Sequence, residues 1–250
     1  MDSYIVITGA SSGIGYEVAK AFAKRGENLV LIARRGVLLD SLKAEILADF
    51  GNLKVITKIC DLSNPKNVHK IYDELKIYYI KAWINNAGFG DYSLVGSQNL
   101  DKTEQMIDLN IKALTIFSTL FARDYFDKPA KLVNISSTGG YSIVPNAVTY
   151  CASKFYVSVF TEGLYHELRA NGAKMQAKVL APAATKTEFG MRATDKDEYD
   201  YDANFKRYHS SKQMAEFLLK LYDSDKCVGL VDRNSFEFKL SEPIFAHVFR

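Results

Sequence analysis

The segment "TYCASK", residues 149–154, sets a tyrosine and a lysine four positions apart, Tyr150 and Lys154. Four positions make one helical turn, so both side chains fall on one helix face. A phenol beside an ammonium suits proton transfer, because the positive charge stabilises the phenolate. The spacing also recurs by accident. Taken alone it reads as the edge of an amphipathic helix with a solvated lysine.

A second group lies at the other end of the chain. "TGASSGIG", residues 8–15, follows an apolar strand-like run and opens a helical stretch. Gly9, Gly13 and Gly15 allow a tight turn and bring backbone N–H groups close to a ligand. The intervening Ser11, Ser12 and Ile14 complete a loop leading into a helix N-terminus, where orphan donors and a partial positive charge suit a phosphate. A plain glycine-rich turn is the competing reading. In "LIARRG", residues 31–36, the second strand ends at Ala33, where an NAD-binding fold usually carries a carboxylate for the ribose hydroxyls. Arg34 and Arg35 follow instead, and an arginine can clamp a 2′-phosphate through charge-assisted hydrogen bonds. The pair points to NADP, or otherwise to a solvated basic turn.

Two more strand tips carry polar or small residues. Asp61 in "CDLS" is placed to accept from an adenine amino group while the Leu62 N–H meets a ring nitrogen. It equally suits a turn before Pro65. In "NNAG", residues 85–88, Asn85, Ala87 and Gly88 are candidate cofactor contacts, the small residues leaving room for a ribose; alternatively Asn85 and Asn86 only tie loop backbone together.

The elements that must position these groups alternate along the chain. Strands are expected at 4–8, 28–33, 54–61, within 81–88, at 131–136, 177–182 and 227–231. Helices are expected up to about Arg25 and at 38–50, 67–76, 102–125 and 149–170. Continuous apolar strands separated by helices imply an α/β fold, a doubly wound parallel sheet of about seven strands with helices on both faces, binding its ligand at the strands' carboxyl ends. The stretch 186–212 is polar and Tyr-rich, lacks core periodicity and follows a strand end, so it is expected to be a mobile substrate lid.

Composition narrows the classes further. The 250 residues are 48% hydrophobic with a net charge of +3, which suits one domain over 1–250 and offers no basic patch for nucleic acid. Cys60, Cys151 and Cys227 are odd in number and far apart, which fits a reducing compartment, and His69, His166, His209 and His247 lack metal-ligand spacing, so no metal is expected. The first strand begins at Tyr4, leaving no room for a signal peptide, and the apolar runs are too short to span a bilayer. The expectation is a soluble, cytoplasmic protein with no membrane partner.

In these motifs and their order the chain resembles the short-chain dehydrogenase/reductases, in their short single-domain branch. The resemblance covers nearly the whole chain. It rests on T-G-x-x-x-G-I-G at 8–15, N-N-A-G at 85–88, Asn110 in the long helix, Ser137 in "NISS", and Tyr150-x-x-x-Lys154. It implies an oxidoreductase moving a hydride between a nicotinamide and a carbonyl or alcohol carbon. Tyr150 would be the general acid/base, its pKa lowered from about 10 by Lys154, which also reaches the nicotinamide ribose. Ser137 would hold the substrate oxygen, Asn110 would hold a water on the proton path behind the lysine, and Thr187 would bond the carboxamide. Relatives pair through two long helices, so a homodimer or homotetramer is implied. Ala183 stands where the family usually has glycine after Pro182, which puts the carboxamide end of the site in question.

Two rival readings remain. One is a non-catalytic NADP-binding sensor or scaffold on the same fold, disfavoured by the complete Ser137, Tyr150 and Lys154 set. The other is a sugar-nucleotide epimerase or dehydratase, for which too little chain follows Lys154. The tyrosines of 186–212, with Ile143 and Val144, suggest a flat or apolar carbonyl substrate.

Overall fold

Apolar runs such as "YIVIT" and "NLVLIA" become strands buried on both faces, and the glycine and polar stretches between them become the turns. The computed structural model describes residues 2–248. In chain order its strands are β1 (Ser3–Thr8), β2 (Asn28–Ala33), β3 (Val55–Ile59), β4 (Tyr79–Asn85), β5 (Lys131–Ile135), β6 (Gln176–Ala181), β7 (Thr185–Lys186), β8 (His209–Ser210), β9 (Val228–Val231) and β10 (Phe238–Ser241). The helices are α1 (Gly13–Ala23), α2 (Gly36–Asp49), α3 (Pro65–Leu75), α4 (Leu100–Ile107), α5 (Leu114–Tyr125), α6 (Val148–Ala170), α7 (Phe189–Thr194), α8 (Tyr201–Asn204) and α9 (Ser211–Asp223).

Eight strands form one sheet in the order β10-β9-β6-β5-β4-β1-β2-β3. All neighbours are parallel except β10, which runs antiparallel to β9 at the edge. The doubly wound parallel sheet is as the sequence implies, with one strand more than the expected seven. β10 has an exposed, polar-interrupted pattern that carries little strand signal. The strand order reverses between β1 and β4, which opens a crevice at their carboxyl ends.

Each face of the sheet is covered by its own core. One packs Trp83, Phe117 and Phe121 with residues of α3, α5 and α6, and the other packs Phe22, Leu29 and Leu31 with residues of α1, α2 and α9. Local chemistry fixes the helix starts. Asn64 caps α3 with Pro65 in its first turn, Asn99 caps α4, and Ser210 with Gln213 forms a capping box on α9. Lys178 of β6, wholly buried, donates to the carbonyls of Ser224 and Lys226 and so holds the C-terminal end of α9. Among the described residues no helix is long and apolar enough to cross a membrane.

Two expectations need correction. The single helix expected over 102–125 is α4 and α5 joined by a π-helical turn, Asp108–Ala113, a wide turn that accommodates Asn110. The sequence reading assigned no helix between 212 and 227, yet α9 occupies 211–223 and packs its apolar face on α1. The stretch 186–212, expected to be a mobile lid, contains α7 and α8 and part of the β7–β8 ladder, with Tyr199, Tyr201 and Phe205 clustered. Aromatic self-packing on one side escapes a search for helical periodicity.

Candidate active site

The crevice at the β1/β4 reversal deepens into a cavity of about 420 Å³, within the size range of small-molecule clefts. At one end the loop after β1 turns into α1. Gly9 and Gly13 have φ of +68° and +59°, values that a side chain makes costly. Gly15 lies where a Cβ would meet the Gly9 carbonyl oxygen and Asn86 Nδ2 at 2.5 Å each. Ser12, the N-cap of α1, offers no side-chain cap, so the first-turn N–H groups of α1 stay open toward the cavity. Ser11, Ser12, Gly13 and Ile14 line it. This cradle suits an anionic diphosphate. Asn86 closes its back: Nδ2 donates to the carbonyls of Thr8 and Gly9, and Thr8 Oγ1 accepts from the N–H groups of Asn86 and Ala87.

Arg34 and Arg35 also face this end. Arg34 is exposed and has no hydrogen-bond or ion-pair partner among the described residues. Arg35 makes a two-bonded ion pair with Glu188, at 2.7 and 3.1 Å, and reaches Ser12 Oγ at 2.7 Å. The Arg35 guanidinium holds the Glu188 carboxyl below its ordinary range. Arg192 of α7 stands 3.8 Å from Glu188, and burial together with Arg35 lowers its pKa. Two arginines, Arg35 and Arg192, thus share one carboxylate. Glu188 and Arg192 were not picked out from sequence, being masked within the polar stretch 186–212.

Asp61 and Leu62 line the same end. Asp61 also accepts from the Ser63 N–H and hydroxyl, so it faces the cavity and begins the turn at once. Ala87, Gly88 and Thr187 line the middle. Ala183 lies there too and keeps a negative φ, so the substitution for the usual glycine strains nothing here.

The deepest part holds Ser137, Tyr150 and Lys154 together. Ser137 caps the short turn after β5, its hydroxyl accepting from the Gly139 N–H at 3.0 Å. Burial raises the Tyr150 phenol above its ordinary value, and the neighbouring Ser137 hydroxyl pulls against this without outweighing it. Lys154 Nζ sits 5.9 Å from the centre of the Tyr150 ring and donates to the Ile135 carbonyl at 2.9 Å. Burial lowers the Lys154 pKa to about 8. In this structure burial is the largest cause for each group, raising the phenol and lowering the lysine.

Three candidates lie outside the cavity lining: Gly15, packed against the Gly9 carbonyl and Asn86 as described, and two asparagines. Asn85 is turned into the sheet layer, bonded to Trp83 Nε1, Ser118 Oγ and Asn134 Oδ1, so its amide braces β4 against β5 and α5. Its neighbour Asn86 holds the loop in its place. Asn110 bonds both the N–H and the carbonyl of Phe89 and reaches Ser153 Oγ, and its Oδ1 lies 2.9 Å from a Cβ built on Gly88. It braces the turn that carries Gly88.

The remaining wall was only partly legible. Tyr92, Val144, Phe189, Tyr199, Tyr201 and Phe205 line the cavity, whereas Ile143 points to solvent at 75% exposure and contributes nothing. Arg233 and Phe236, just past β9, line it as well. Their signal was positional: they follow the carboxyl end of a strand on the same sheet edge as the other tips.

Residues 3–198 match the family described as short chain dehydrogenase. The chain belongs to that family. It is 32% identical over 210 residues to an uncharacterized oxidoreductase of Staphylococcus saprophyticus, covering 82% of this chain and 83% of that one. A short-chain dehydrogenase from Sphingobium yanoikuyae, solved in complex with NADPH, superposes with a TM-score of 0.84 at 30% identity, covering 94% of this chain and 89% of the other. A family protein from Burkholderia phymatum in complex with NAD has the same fold, with a TM-score of 0.77 at 23% identity over 88% of this chain and 85% of that one.

Proposed function

We propose that this protein is an NADP-dependent oxidoreductase of one domain over 1–250, interconverting a carbonyl compound and its alcohol. The observation that carries the reading is the meeting of Ser137, Tyr150 and Lys154 in one cavity with the α1 glycine cradle and an unpaired Arg34. The likeness to an NADPH-bound relative supports NADP, and likeness in fold to an NAD-bound one leaves the arginines to carry the preference. The residues present fit such a cofactor. The cradle N–H groups would hold its diphosphate, and Arg34 with Arg35 its 2′-phosphate. When bound, the cofactor supplies or accepts the hydride.

The chain's own residues do the rest. Ser137 holds the substrate oxygen against Tyr150, whose phenol keeps its proton at neutral pH and gives it to that oxygen as negative charge develops. Lys154, one turn on, offsets the phenolate and reaches the ribose side of the cavity. Asn110 positions the Gly88 turn beneath both. Residues 186–212 cover the cavity and exclude water. The free thiols of Cys60, Cys151 and Cys227 suit a reducing cytoplasm.

The test is NADPH oxidation across aldehydes, ketones, quinones and steroids, in the parent and in Tyr150→Phe. Turnover lost in the variant with NADPH binding retained supports the reading. A parent that binds NADPH but reduces none of these would favour the sensor on the same fold.

A further inference from the structure

The turn between β9 and β10 places two unlike side chains in the cavity wall. Asp232 organises it: its carboxylate accepts from the N–H groups of Asn234 and Ser235, its own N–H donates to the Glu237 carbonyl, and its carbonyl accepts from the Phe236 N–H. Phe236 is thereby held at φ +58°, a left-handed conformation unusual for a bulky aromatic. Strain of this kind persists where the surroundings over-determine it, and it collects at ligand sites. Here the ring lines the cavity and lies against the His209 ring, 5.8 Å away and nearly parallel.

Arg233 is the second side chain. Its Nη1 donates to Ser142 Oγ at 3.1 Å, and Ser142 donates on to the Thr138 carbonyl at 2.8 Å, next to Ser137. The guanidinium is therefore tethered to the proton-transfer end of the cavity, apart from the Arg34, Arg35 and Arg192 group. Among the described residues it has no carboxylate partner; the neighbouring Asp232 is turned to backbone amides and Lys239. Arg233 thus lines the cavity without a carboxylate partner, together with the aromatic rings of Phe236 and Tyr92.

We propose that Arg233 reads a carboxylate on the substrate, so that the reaction interconverts an oxo acid and a hydroxy acid whose apolar body lies against Phe236. A guanidinium matches a carboxylate through two parallel hydrogen bonds. Its tether, two hydrogen bonds from the Thr138 carbonyl, sets the carboxylate several bonds away from the reacting carbonyl. Hydride adds to the carbonyl carbon, the Tyr150 proton adds to its oxygen, and the carboxylate stays intact; Arg233 makes and breaks no covalent bond. This inference rests on the oxidoreductase reading above and names its substrate class.

The experiment compares 4-oxo-4-phenylbutanoate with its methyl ester in NADPH-dependent reduction. The parent should favour the acid in kcat/KM by tenfold or more, mostly through KM. Added salt should raise KM for the acid more than for the ester. In Arg233→Gln the acid-to-ester ratio should fall toward one, and Arg233→Lys should restore part of it. An ester used as well as the acid by the parent, or a ratio unmoved in Arg233→Gln, overturns the proposal. Should neither compound be reduced, calorimetric binding to the NADPH-loaded protein decides: acid no tighter than ester overturns it. Failure of the broader reading shows separately, as no carbonyl reduced in the screen while the acid still binds through Arg233.

Discussion

Arg35 and Glu188, 153 positions apart, join in a two-bonded ion pair that ties the exit of β2 to the start of α7. The carboxylate sits among Arg35, Arg192 and the serines of the glycine cradle, where a 2′-phosphate would place the same charge.

Removing that competing charge should therefore help the phosphate. Glu188→Gln is expected to tighten NADPH binding about twofold to tenfold while NADH changes less. The range is modest because the pair is about one-third exposed and screened. Fluorescence titration of both nucleotides measures it, and an unaltered ratio of the two dissociation constants would show that Glu188 does not compete for the site.

On the proposed NADP reading, Arg34 would meet the same phosphate with no partner of its own to lose. Hydrogen bonds to a charged group are worth about 1.5–3 kcal/mol. The parent should thus prefer NADPH over NADH roughly tenfold to a hundredfold. Arg34→Ala should remove most of that preference by weakening NADPH alone. A parent that binds the two nucleotides equally would reduce Arg34 to a solvated surface charge.

The buried lysine gives a pH dependence. In the free protein Lys154 titrates at about 8, whereas burial keeps the Tyr150 phenol protonated well above that. Below pH 8 the lysine is charged and can offset a forming phenolate; above it the charge is lost. Reductive kcat/KM, which reports the free enzyme, should fall as pH rises through about 8. A profile flat to pH 9.5 would separate the Lys154 charge from the proton step.

The same lowered pKa has a stability sign. The fold disfavours charged Lys154, so the protein carries that penalty below pH 8 and is relieved of it between 8 and the unfolded value of 10.5. Lys154→Met should raise stability at pH 7 by roughly 1–2 kcal/mol, part of the gain being offset by the lost bond to the Ile135 carbonyl. Activity should vanish. Urea melts at pH 7 and pH 10 check it: the gap between variant and parent should narrow at the higher pH, and a variant weaker than the parent at pH 7 defeats the argument.

What was legible in the chain follows from what short-range pattern encodes. β1 and β2 are short apolar runs with β-branched residues, and the glycine loop, Ser137, Tyr150 and Lys154 sit at strand tips or one helical turn apart, so their convergence follows from topology alone. Asn85 could not be oriented from sequence, because a residue at a strand's last position faces either the cleft or the neighbouring layer, and Trp83 and Asn134 decide which. Glu188, Arg192, Arg233 and Phe236 reach the cavity through tertiary folding of irregular segments. No periodicity marks them.

Asn86 stitches the tip of β1 to the turn after β4, and Gly15 closes against that stitch with no room for even a methyl group. The two tips cannot shift separately without breaking these bonds or the packing at Gly15. The nucleotide therefore meets a mould already set. Little backbone entropy is surrendered there on association, and any ordering would fall to the outer segments that carry Glu188 and Arg192. Amide hydrogen exchange should accordingly divide the molecule: an inner rim whose exchange is slow with or without nucleotide, and an outer rim whose protection appears only when it arrives.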